Sequence, residues 1–161
     1  PGTGINSVAD LLAKAKSQPG KINYASSGPG TPYHMAGELF KYMAHVDMVH
    51  VPFNGTPPAV QNLVGGQVQA AFLPLLAVKP HVETGKVKVL AISTPQRSPL
   101  MPQVPTFTEQ GFASVEGTYA RFALFAPTGT PEAVLSRVAQ SQLRNSSITR
   151  PWKTTLSPMI E

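Results

Sequence analysis

The 161 residues are 42% hydrophobic and 13% charged, a balance that allows one α/β domain with its own core and argues against disorder over most of the length. The net charge of +5 comes from scattered Lys and Arg without basic runs or interleaved aromatics, which argues against nucleic acid and suits a protein that meets anionic solutes. There is no cysteine, so disulfides and thiolate metal sites are excluded.

The chain opens on Pro1-Gly2-Thr3-Gly4, without an initiator methionine, a signal peptide or an apolar run of about eighteen residues. It reads as part of a longer product that spans no membrane. Ser7, with Asp10 three residues on, is a capping box. It opens a helix whose Val8, Leu11, Leu12 and Ala15 share a face and which Pro19-Gly20 stops. Lys21 to Ser26 reads as a short strand running into the small-residue loop Ser27-Gly28-Pro29-Gly30-Thr31. Thr31-Pro32 supplies an N-cap and a first-turn proline for a helix through about Ala44.

Met48 to Phe53 is a second expected strand, followed by Asn54-Gly55 and by Thr56 as the expected cap of a helix that ends at Gly65-Gly66. Val68 to Leu73 is a third strand, Leu75 to Thr84 a further helix with Gly85 at its end, and Val87 to Ser93 a fourth strand. Strands alternating with short helices indicate a mostly parallel sheet flanked by helices. Ligands of such sheets sit beyond the carboxyl ends of the strands.

Thr94 to Pro105 is a proline-rich connection between lobes, and Thr106 to Glu109 is a second capping box before Gly111. Thr118 to Ala126 is a further expected strand. Thr130-Pro131-Glu132 then starts a helix with Val134, Leu135, Val138 and Ala139 as its apolar stripe.

Two strand ends therefore carry the same arrangement, a loop of small residues entering a Thr-Pro helix start: Ser26 to Pro32 and Phe53 to Pro57. First-turn amides lack intrahelical acceptors and face the positive end of the helix dipole, so such loops bind anions without a charged side chain. The plainer alternative is that both loops are only efficient helix caps. The first loop is neither a P-loop nor a dinucleotide fingerprint. His34, one turn into the helix, is either a ligand contact or a structural histidine. Arg121 is either an edge residue with its charge in water or a carboxylate clamp. His45, His50 and His81 lack the spacing of a metal pair, and no cofactor motif is present. A small esterase would need Ser26 or Ser27 as nucleophile with His34 as base. Neither Asp10 nor Asp47 falls near the loop to orient that base, and Gly-x-Ser-x-Gly is absent.

Taken together, the motifs resemble the Bug solute receptors of tripartite tricarboxylate transport. The resemblance runs through Pro19 to Gly28 with Gly30-Thr31, His34 and Ala36 to Phe40; Val49 to Gly55; Pro58-Ala59; and Leu63 to Val68. It continues through Gly85-Lys86, Leu90 to Ser93, Arg97-Ser98, Val104 to Thr106, Glu109 to Gly111, Leu124 to Pro127 and Gly129 to Pro131. Each motif is modest alone, but their order over nearly the whole chain is specific.

The resemblance implies a type II periplasmic-binding fold closing on a small organic carboxylate, without catalysis, in the periplasm, for delivery to membrane transporter subunits. An alternative role in the same family is a ligand-loaded module docking on a membrane sensor. Residues 1–116 then correspond to the second, ligand-binding lobe and 117–161 to a segment returning to an incomplete first lobe. Carried over residue by residue, Ser26, Ser27, Gly28, Gly30 and Thr31 form the carboxylate loop with His34 nearby. Phe53, Asn54, Gly55 and Thr56 form the second cleft loop. Gln69 and Leu73 stand where many members are acidic, and Arg121 where an aromatic residue is common. An ammonium group would lose its partner, so an acid with a less polar body is favoured over an amino acid. A helix from Pro131 with few neighbours implies segment exchange, dimerisation or disorder in this region.

Overall fold

The computed structural model describes residues 4–113, 115 and 126–137. The chain divides into two compact units, residues 1–121 and 122–161. In the first, α1 (Val8–Ser17) leads into β1 (Asn23–Ser26), α2 (Pro32–Ala44), β2 (Val49–Pro52), α3 (Thr56–Val64), β3 (Ala70–Ala71) and α4 (Leu75–Glu83), followed by a 3-10 turn at Thr108–Gln110. In the second, residues 132–137 are helical. The strand expected at Thr118 to Ala126 falls almost wholly outside the described residues.

The three strands pair in parallel in the order β2-β1-β3, with β1 central. Alternation along β1 sends Tyr24 and Ala25 to opposite faces. Tyr24 joins a core of Val8, Leu11 and Ala15 from α1 with Ala36 and Phe40 from α2, while Ala25 packs with Ala59 of α3 and Val68. The sheet is thus a layer between α1 and α2 on one side and α3 on the other. Gly37 allows α2 to lie against β1, because a Cβ at that position would overlap the Tyr24 ring.

Helix starts follow the caps with one correction. Ser7 Oγ accepts the Asp10 amide at 3.0 Å, and Thr31 Oγ1 accepts the His34 amide at 3.3 Å. The cap of α3, however, is Gly55 at φ 102°, and Thr56 is already helical with no capping bond from its side chain. The Asn54-Gly55 turn brings the chain into the helix one residue early, in the left-handed half of backbone space that favours glycine. The box at Thr106 is reciprocal: Glu109 Oε2 accepts the Thr106 amide at 2.7 Å and Thr106 Oγ1 accepts the Glu109 amide at 3.1 Å.

The expected fourth strand does not form. Between Val87 and Ser93 the chain makes one isolated parallel bridge, Ile92 with Thr106. A cavity of about 430 Å³ is lined both by Gln69 to Leu73 and by Val87 to Ser93. With that space beside it the segment has no ladder partner, and β3 itself shrinks to two residues.

Candidate functional site

The candidate site is the shared edge where β1 and β2 end. Ser26 pairs in register with Pro52, and the Phe53 amide donates to the Ser26 carbonyl at 3.2 Å. One residue further on, the Gly55 amide donates to the Ser27 carbonyl at 3.2 Å and to the Phe53 carbonyl at 2.9 Å. A Cβ on Gly28, which sits at φ 132°, would stand 3.3 Å from the Phe53 carbonyl oxygen. The two loops therefore abut, backbone to backbone.

The first loop is tied internally. The Gly28 carbonyl accepts from Thr31 Oγ1 at 2.7 Å and the Gly28 amide donates to Ser26 Oγ at 3.2 Å. Ser26 is fully buried. Some polar groups at this edge remain without partners. Ser27 Oγ is buried with no hydrogen-bond partner among the described residues, and the amides of Ser27 and Thr56 donate to no acceptor there. A buried hydroxyl without a partner costs about 1–3 kcal/mol. Prolines at 57 and 58 remove two further amides from the first turn of α3, so Thr56 is the one residue of 56–58 that keeps its amide. Asn54 is exposed next to it. Arg121 lies outside the described residues.

Behind the loops stands a cluster that sequence reasoning missed. His50 Nε2 lies 2.7 Å from Ser26 Oγ, and the His50 ring stacks between Tyr24, at 4.9 Å between centroids, and His34, at 4.2 Å. Tyr24 Oη donates to Glu38 Oε1 at 2.6 Å, and Lys41 Nζ donates to the same carboxylate at 2.9 Å. Burial, the neighbouring His34 and Lys41 lower the proton affinity of His50 against the opposing pull of Glu38. Burial alone would raise Glu38, but bonds from Tyr24 and Lys41 hold it below its usual range. Burial and Glu38 push the Tyr24 phenol well up. The available signal was register: Tyr24 pairs with His50 in β1 and β2, which puts both rings and Ser26 on one face.

The esterase geometry differs from the one expected. His50, not His34, contacts Ser26, and Ser26 is buried and already accepts the Gly28 amide. No carboxylate among the described residues bonds the other nitrogen of His50, so the pair lacks the orienting group of a triad. Gln69 Oε1 accepts the Asn23 amide at 2.9 Å and is spent on the sheet. Among the described residues no group of three or more His, Asp or Glu side chains is placed to hold a metal ion.

A parallel sheet with adjacent glycine-bearing loops at neighbouring strand ends is the architecture of an α/β domain that takes its ligand at that edge. Residues 1–155 match the tripartite tricarboxylate transporter family receptors. The chain belongs to that family, which is one of solute-binding receptors and not of enzymes. A protein from the tcbD-tcbE intergenic region of Pseudomonas sp. is 34% identical over 131 residues, covering 81% of this chain and 39% of its own length. A solved periplasmic transporter is 34% identical with a TM-score of 0.81, over 89% of this chain and 48% of that one. An R. palustris protein with adipate is 32% identical with a TM-score of 0.77, over 87% and 46%. MatC from Rhodopseudomonas palustris with bound malate is 31% identical with a TM-score of 0.71, over 88% and 48%. The chain thus spans about half the length of these solved structures and less of the Pseudomonas relative.

Proposed function

We propose that this chain is the ligand-gripping part of an extracytoplasmic receptor for a small organic acid, a dicarboxylate being the best fit. The observation that carries the reading is the contact between the loops: Gly55 donates to the Ser27 carbonyl, which sets the amides of Ser27 and Thr56, both without an acceptor among the described residues, at one edge for a carboxylate to bridge. Similarity to proteins seen with adipate and malate supports the same class of ligand. Backbone amides and the dipoles of α2 and α3 hold the negative charge without a resident cation. Residues 1–116 form the binding lobe, and 117–161 return toward a first lobe in a longer polypeptide. That polypeptide works in the periplasm and passes its ligand to membrane transporter subunits. No helix among the described residues is long and apolar enough to cross a membrane.

Isothermal calorimetry with adipate and malate tests the reading. Ser27→Ala and Thr31→Ala are expected to weaken binding several-fold, by about 1 kcal/mol each. Affinity unchanged in both variants removes this loop from the site.

A further inference from the structure

His34 Nδ1 accepts the backbone amide of Gly30 at 3.2 Å. That bond requires an unprotonated Nδ1, and it occupies an amide that the loop would otherwise offer to an anion. In an imidazolium both ring nitrogens are donors. Protonation therefore breaks this contact, frees the Gly30 amide, turns Nδ1 into a second donor beside it and adds a positive charge at the start of α2.

We propose that His34 is a proton-dependent ligand of the bound acid: once protonated it releases the Gly30 amide, and the amide and Nδ1–H together grip the carboxylate. The proposal rests on the carboxylate-receptor reading and assigns a linkage to it. Charged and titratable groups face His34 from each element packed there. His50 of β2 stacks on it, Tyr24 of β1 covers the far face of His50, and Glu38 and Lys41 follow on α2. Two imidazolium rings 4.2 Å apart repel each other, so a charge on one ring opposes a charge on the other. Of the two rings, His50 has its Nε2 engaged with Ser26 Oγ at 2.7 Å, whereas His34 presents Nδ1 to the loop at the Gly30 amide. Binding of an acid then takes up a proton, affinity rises as pH falls through the His34 titration, and the acid raises the His34 midpoint by the same factor.

The test is NMR on the isotope-labelled 161-residue chain between pH 6.5 and 8.5, above the ordinary carboxyl range near pH 4, with calorimetry of adipate at the same pH values. Without adipate, the Gly30 amide proton is expected to move upfield with the same midpoint as the His34 ring. With adipate that midpoint rises, and affinity increases about tenfold across the range. His34→Gln flattens the profile and His50→Gln retains it. A Gly30 amide that ignores the His34 titration, or a pH dependence that survives in His34→Gln, overturns the proposal. Adipate bound with a flat profile sinks the proton linkage alone. Absence of binding at every pH sinks the receptor reading as well.

Discussion

Ser26 and His50 show how much a single pair of side chains adds to a strand edge. The strand loop at Ser26 is legible from composition, but the 2.7 Å contact to His50 depends on register between β1 and β2, which no local pattern states. The lowered proton affinity of His50 makes a signed prediction. Its unfolded value is near 6.5 and its folded value lower, so the unfolded chain binds more protons between the two. Stability is fully present above about pH 6.5 and is lost as pH falls through the folded value. Urea midpoints at pH 7.5 and pH 5 should therefore fall further in the wild type than in His50→Phe; equal falls would contradict the assignment. Gly37→Ala is a second case at this scale. The added methyl meets the Tyr24 ring, and overpacking of this kind costs about 1–3 kcal/mol. An unfolding midpoint equal to wild type would mean that α2 does not lie as close to β1 as described.

At the scale of elements, the two Thr-Pro helix starts look alike in sequence and differ in structure. Thr31 caps α2 through its hydroxyl, whereas Thr56 is displaced inward by the positive-φ Gly55 and caps nothing. Thr31→Ala should lower stability by about 1 kcal/mol, while Thr56→Ala should change it by less than about 0.5 kcal/mol. Equal losses in denaturant titrations would show that the two caps are equivalent after all. The helices, the parallel pairing of the first three strands and both capping boxes were legible, because caps and apolar periodicity are local; the spatial order of the strands was not. The expected strand from Val87 to Ser93 failed for a non-local reason. Its residues suit a strand, but a strand needs a neighbour within ladder distance, and here a cavity adjoins it and β3.

For the whole molecule, the candidate residues drawn from two separate loops, Ser26 to Thr31 and Phe53 to Thr56, come together because β1 and β2 are adjacent and parallel. This follows from the rule that ligands sit at the carboxyl ends of such strands. Family resemblance pointed to the same loops, but the polar cluster behind them required three-dimensional pairing. In the second unit, Val134 and Leu135 stay 48% and 38% exposed on the helical residues 132–137. Neighbouring apolar side chains left in water favour association. Light scattering is expected to show a dimer that Val134→Glu with Leu135→Glu dissociates, and a monomer at all concentrations would contradict this.

A receptor of this kind requires that one small acid bridge the two backbone loops. Amide chemical-shift mapping of the labelled chain with adipate addresses it most directly. The largest changes are expected on Ser27 to Thr31 and on Asn54 to Thr56, saturating together with one dissociation constant. Changes centred instead on Gln69 to Leu73 and Val87 to Ser93, around the cavity, would contradict it.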